Sequence, residues 1–134
     1  MKTILAILFF SCSSSFGQEM KEIIKSIYFG GGSYIIDRNQ AQQLSDLVKS
    51  IKNLEYYEIN IMSHTDPIGG REFNEYLSRM RSQSAIDLLK SFDIPQEKIR
   101  FKDFAFDDPA YDNSTWEGRA RNRRVDIQFK PIVF

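Results

Sequence analysis

The chain has 134 residues, and its 18 Lys or Arg balance 18 Asp or Glu, so the formal net charge is zero with the single histidine neutral. That balance excludes a polyanion binder working through bulk charge, and with it a nucleic-acid partner. A hydrophobic content of 42%, with 11 Phe and 6 Tyr, is the composition of one packed domain and excludes a disordered tail.

Met1-Lys2 is a short positive start, and Ile4 to Phe10 is an unbroken apolar run. The run is too short for a bilayer span, which needs roughly 20 residues. Ser15 and Gly17 put small residues where signal peptidase requires them, so residues 1–17 read as a secretory signal peptide and 18–134 as the exported domain. A rival reading takes Phe9-Phe10-Ser11-Cys12 as a loose lipobox, with Cys12 the lipidated first residue of an outer-membrane lipoprotein. Cleavage after Gly17 removes the only cysteine, so the mature domain must be stabilised by burial and not by disulfides.

Ile23 to Phe29 is largely apolar, β-branched or aromatic, and its second half is predicted to be a strand running into the flexible loop Gly30-Gly31-Gly32. Asp37 with Gln40 three residues on resembles a capping box. Ala41, Leu44, Leu47, Val48 and Ile51 then share one face of a helix expected to end near Asn53. From Tyr57 the period becomes two: Tyr57, Ile59, Ile61 and Ser63 face one way, Glu58, Asn60, Met62 and His64 the other. Pro67 and Gly69-Gly70 break this strand. Phe73, Leu77, Met80, Ser84 and Leu88 mark the expected buried stripe of a second helix ending around Phe92.

Pro95 opens a short turn or helical piece, Ile99, Phe101, Phe104 and Phe106 lie in a third, irregular strand, and Asp107 to Trp116 is a polar loop. Val125, Ile127 and Phe129 alternate with Arg124, Asp126 and Gln128 in a last strand that Pro131 stops. The order βαβαββ predicts an α+β two-layer sandwich, two main helices packed on one face of a mixed four-stranded sheet.

Polar chemistry gathers where the second strand meets the second helix. Asp66 lies in that loop, and Asn74, Leu77, Ser78 and Arg81 form one helical stripe beginning beside it, so a carboxylate and a guanidinium border one small cleft. Alternatively, Asp66 holds its loop or caps the helix, and Arg81 pairs with Asp66. Asn74, Ser78, Asn122 and Arg123 read as scaffold hydrogen bonders. Thr115, Glu117, Gly118, Arg119, Asn122, Arg123 and Arg124 crowd the entry to the last strand. His64 has no second histidine to make a metal pair, and no cofactor or metal is expected.

The spacing Thr65-Asp66, Asn74, Leu77-Ser78, Arg81, followed by Thr115-x-Glu117-Gly118-Arg119-x-x-Asn122-Arg123-Arg124-Val125, resembles the OmpA-like C-terminal domain family, from about Ile27 to Phe129. The resemblance implies a periplasmic, outer-membrane-associated module that binds peptidoglycan without making or breaking a bond. Asp66 matches the acidic residue that takes the ammonium of diaminopimelate, the third residue of the wall's stem peptide, and Arg81 the arginine that takes its free carboxylate. A guanidinium fork suits a carboxylate as an ammonium does not. The resemblance further assigns Thr65, Asn74, Leu77, Gly31, Gly32 and Arg124 to the ligand's surroundings.

Three single positions and one loop depart from the family pattern. Ser63, Ser82 and Asp93 replace the usual Gly, Ala and Gly, and Gly30-Gly31-Gly32 replaces aromatic and acidic residues that cover the ligand in many members. The competing readings are a protein-interaction module that kept the fold without wall binding, partnered by another envelope protein, and a wall hydrolase. The hydrolase lacks a nucleophile with its base, a metal set, or two suitably spaced carboxylates, so no enzyme is expected.

Overall fold

The structure, a computed structural model, describes residues 20–132; the signal-peptide and Cys12 readings concern residues outside that range. Its strands are β1 (Ile23–Tyr28), β2 (Tyr57–His64), β3 (Ile99–Ala105) and β4 (Arg124–Pro131), and its helices α1 (Arg38–Ser50), α2 (Arg71–Ser91) and α3 (Trp116–Asn122). The sheet order is β1-β4-β2-β3, with β4 antiparallel to both neighbours and β2 parallel to β3. This is the expected α+β architecture, a mixed four-stranded sheet with helices packed on it.

The two-residue period of β2 and β4 decides which face carries the core. Tyr57, Ile59 and Ile61 are buried with Val125, Ile127 and Phe129, and they pack with Ile27 of β1 against Leu44 and Val48 of α1 and Ala85, Ile86 and Leu89 of α2. Each fully buried aliphatic or aromatic side chain contributes about 1.5–3 kcal/mol. At the start of α1, Asp37 Oδ1 accepts from the Gln40 N–H at 2.8 Å. Gln40 reaches further than a capping box requires: its amide exchanges two 2.8 Å bonds with the backbone N–H and C=O of Tyr28. The first turn of α1 is thereby tied to the end of β1.

Five expectations are corrected. β1 begins at Ile23, not midway along the segment, because Ile23 to Tyr28 pair residue by residue with Phe129 to Arg124. α1 stops at Ser50, and Asn53 turns the chain in the left-handed region at φ 60°. Phe106 lies beyond β3, an edge strand whose Phe101 is exposed. The buried stripe of α2 is Asn74, Leu77, Ser78, Arg81, Ser82, Ala85, Ile86 and Leu89, while Phe73 is exposed. Hydropathy mis-phased this helix because its inner face is partly polar and each polar group there finds a partner: Ser78 Oγ donates to Ser63 O at 3.1 Å, and Ser82 Oγ to Asp103 Oδ1.

The fifth correction is α3. Its seven residues lack an apolar period, so sequence patterning passed over them, but Thr115 Oγ1 accepts from the Gly118 N–H at 2.9 Å and caps the first turn. Gly118 is required by close approach: a Cβ there would lie 1.7 Å from the carbonyl oxygen of Asp112. The shared Thr115-x-Glu117-Gly118 pattern is therefore a cap followed by a contact that only glycine permits.

Candidate functional site

Insertion of β4 between β1 and β2 brings three chain ends together, since Arg124 is paired with Tyr28 on one side and with His64 on the other. The residues just past these pairs, Phe29, Thr65-Asp66 and Arg123, are consequently neighbours. The Phe29 N–H donates to Arg123 O at 2.9 Å, and Arg123 Nε donates back to Phe29 O at 3.1 Å. Arg123 Nη1 then reaches Asp66 Oδ2 at 3.2 Å. The ion pair of Asp66 is thus with Arg123 and not with Arg81, which corrects the alternative that paired Asp66 with Arg81.

Asp66 also holds its own loop, as the alternative reading has it, but it does not cap α2. Its Oδ1 accepts from the Ile68 N–H at 3.0 Å, and the cap position of α2 is Gly70, which has no side chain to offer. Asn74 fixes the same loop from the helix, donating from Nδ2 to Ile68 O at 2.9 Å and to Gly70 O at 2.8 Å. Asn74 is buried by this work, consistent with its scaffold role.

Arg81 is fully buried, projecting from α2 beneath the glycine loop. Its Nε donates to Ser33 O at 2.8 Å, Nη2 to Gly30 O at 3.1 Å and Nη1 to His64 O at 3.3 Å, with the ring of Phe29 5.0 Å from its Cζ. Three of the five guanidinium N–H groups are spent on backbone carbonyls. Burial pulls its pKa down to about 10; the Asp66 charge opposes that fall and the Arg123 charge adds to it. Arg81 is cationic at neutral pH, and one acidic and two basic groups act on each other across the site.

Thr65 is buried beside Asp66, its N–H donating to Ala105 O at 2.6 Å while its Oγ1 has no hydrogen-bond partner among the described residues. Leu77 is buried one turn along α2 from Asn74. Gly31 and Gly32 are exposed in the loop that covers Arg81, and Gly32 takes φ 67°. Arg124 is drawn elsewhere: its Nε donates to both oxygens of Asp126 at 3.1 Å, and its Cζ lies 5.3 Å from the Tyr111 ring centre. Asp126 alternates with the core residues Val125 and Ile127, so Arg124 sits on the sheet face away from α2. The arrangement brings Thr65, Asp66, Asn74, Leu77, Arg81, Gly31 and Gly32 together and leaves Arg124 behind the sheet.

Arg123, which the sequence reading took as scaffold, is the basic partner of Asp66. The signal that would have found it is its place: as the residue closing α3 and preceding β4, it stands outside the alternation that turns Arg124 away. Among the described residues, no three His, Cys, Asp or Glu side chains gather as a metal would require. Nor is any helix among them long and apolar enough to cross a membrane.

The fold and the two polar blocks that build this site define the class of protein. The chain belongs to the OmpA family, whose model matches residues 28–123. It is 29% identical, over 80% of its length, to the probable lipoprotein YiaD of Escherichia coli, and spans about half (49%) of that protein. It is 25% identical to the outer-membrane lipoprotein YfiB of Pseudomonas aeruginosa, covering 75% of this chain and 60% of YfiB. Among solved structures it shares its fold with the peptidoglycan-associated lipoprotein of Burkholderia pseudomallei: TM-score 0.68, 23% identity, 78% of this chain and 89% of the other. It likewise shares the fold of the periplasmic domain of Helicobacter pylori MotB, with TM-score 0.68, 16% identity, and 87% and 80% covered.

Proposed function

We propose that this chain binds peptidoglycan noncovalently, gripping the diaminopimelate of the stem peptide, and so links the outer membrane or its proteins to the wall. The observation that carries the reading is the Asp66–Arg123 pair, held at the meeting of three strand ends with Arg81 beside it. A free amino-acid end carries one ammonium and one carboxylate. Such a zwitterion can compete with the internal ion pair, its ammonium displacing Arg123 from Asp66 and its carboxylate taking the neighbouring Arg81. Each charge-assisted bond contributes about 1.5–3 kcal/mol net, so two of them with backbone N–H donors give a modest single-site affinity, on the order of micromolar or weaker. Retention on a repeating polymer would then come from rebinding.

Arg81 receives the ligand carboxylate in this reading, which requires the carbonyls of Gly30 and Ser33 to yield. The full burial of Arg81 supports the second reading, in which the fold serves as a protein-interaction module. Cosedimentation with insoluble peptidoglycan separates the two. The protein is expected in the pellet with a diaminopimelate-type wall and in the supernatant with a lysine-type wall, whose residue lacks the second carboxylate. Equal pelleting with both walls, or none with either, overturns the proposal.

A further inference from the structure

A second feature lies beside the clamp, on the outer side of α2. Phe73 and Tyr76, one helical step apart at i and i+3, are 43% and 44% exposed, although hydropathy would bury Phe73. They line a surface cleft of about 580 Å³ together with Gly69, Gly70, Glu72 and Arg79. The Phe73 ring packs closely on Gly69 and lies near Gly32. A Cβ on Gly69, which takes φ 100°, would fall 2.7 Å from Phe73 Cδ1, and one on Gly32 would lie 3.9 Å from its Cζ. The ring therefore rests between the loop that holds Asp66 and the loop that covers Arg81.

The geometry points to this cleft as a sugar subsite that receives an acetylated amino sugar of the glycan strand to which the clamped stem is joined; the inference rests on the wall-binding reading above. Two exposed rings offer flat apolar faces that stack on the C–H face of a pyranose. Glu72 and Arg79 flank them with an acceptor and a donor fork suited to hydroxyl and acetamido groups. An apolar protein surface would desolvate those flanking charges without pairing them, whereas a polyhydroxylated ring supplies partners around its rim. The cleft shares a loop with the clamp. Two stem residues separate the third from the sugar and span about 7 Å when extended, and Gly69-Gly70 belong to the loop that Asp66 and Asn74 pin.

The test compares, by titration calorimetry, a soluble disaccharide–tetrapeptide with the same tetrapeptide lacking sugar, on wild type and on Tyr76→Ala and Phe73→Ser. The disaccharide form is expected to bind the wild type about three- to tenfold more tightly than the bare peptide. Both variants should lose that difference while binding the bare peptide as the wild type does. Tyr76→Ala keeps the comparison valid if Phe73→Ser disturbs the glycine loops. Equal affinity of the two ligands for the wild type overturns the subsite and leaves the clamp standing. Failure of both ligands to bind overturns the clamp, and the subsite with it. Self-association in the ultracentrifuge that Tyr76→Ala abolishes would give this face to a second copy and also overturns the proposal.

Discussion

Arg123 Nη1 stands 3.2 Å from Asp66 Oδ2, joining the last residue before β4 to the second residue after β2 across 57 positions of sequence. Their side chains are only 19% and 9% exposed, so the attraction is less screened than at an open surface. Removing either partner leaves the other charge partly desolvated.

Asp66 is where charge and scaffold can be separated. Asp66→Asn keeps an oxygen for the Ile68 N–H and removes the negative charge, whereas Asp66→Ala removes both. Pelleting with diaminopimelate-type peptidoglycan should fall about tenfold or more in each. Wild-type pelleting of Asp66→Asn would show that no ammonium is held there.

Arg81 should be structural as well as functional. Its three bonds to Gly30, Ser33 and His64 carbonyls are buried, so Arg81→Ala leaves acceptors unpaired at a cost of about 1–3 kcal/mol each where water cannot replace it. The thermal melt, followed by circular dichroism, should drop by about 10 °C or more. A melt within a degree of wild type would mean that the glycine loop does not depend on this guanidinium.

His64 makes stability depend on pH. Burial and then the Arg124 charge lower its pKa from the ordinary 6.5, with Asp126 and Asp108 opposing; the ring stacks on Phe104 at 4.8 Å, and Nε2 lies 3.9 Å from Asp126 Oδ2. Below pH 6.5 the unfolded chain binds more protons at this site than the folded one, so stability rises with pH there. Its contribution is complete above 6.5 and falls as pH drops towards the lowered folded value. Melts between pH 7.5 and about 5 should therefore decline on acidification. His64→Gln should flatten that decline; an unchanged slope contradicts the assignment.

Gly118→Ala forces a methyl against the Asp112 carbonyl, 1.7 Å from the ideal Cβ position. A loss of about 2 kcal/mol or more is expected in a urea melt, despite the better helix propensity of alanine. A gain in stability would show that the Asp112 turn moves freely.

Asp93 offers the opposite case. It closes α2 at φ 63°, with its N–H donating to Lys90 O at 3.0 Å and that of Ile94 to Leu89 O at 3.4 Å, a helix ending that favours glycine. Asp93→Gly should raise stability by roughly 0.5–1 kcal/mol, read as a higher urea midpoint. A lower midpoint would point to an interaction of the Asp93 carboxylate that glycine loses.

Local signals were legible wherever one physical rule acted alone. The alternation of β2 and β4, the Asp37 cap and the glycine breaks follow from period, capping and backbone freedom, and they led to the α+β sheet. The buried stripe of α2 was not legible from hydropathy, because Ser78, Arg81 and Ser82 are buried through hydrogen bonds whose acceptors lie on other elements. α3 was missed because its cap and its glycine contact serve a turn that no periodicity announces.

By itself, the sequence determined the strands, the two long helices and the two polar blocks that mark the family, since each depends on residues within a few positions of one another. Only the tertiary structure decided which charges meet. Insertion of β4 between β1 and β2 gives Arg123 to Asp66, turns Arg124 to the opposite face and encloses Arg81 under the glycine loop. The reason is geometric: a strand alternates its side chains between two faces, and which strand ends lie side by side is settled by pairing across the whole sheet.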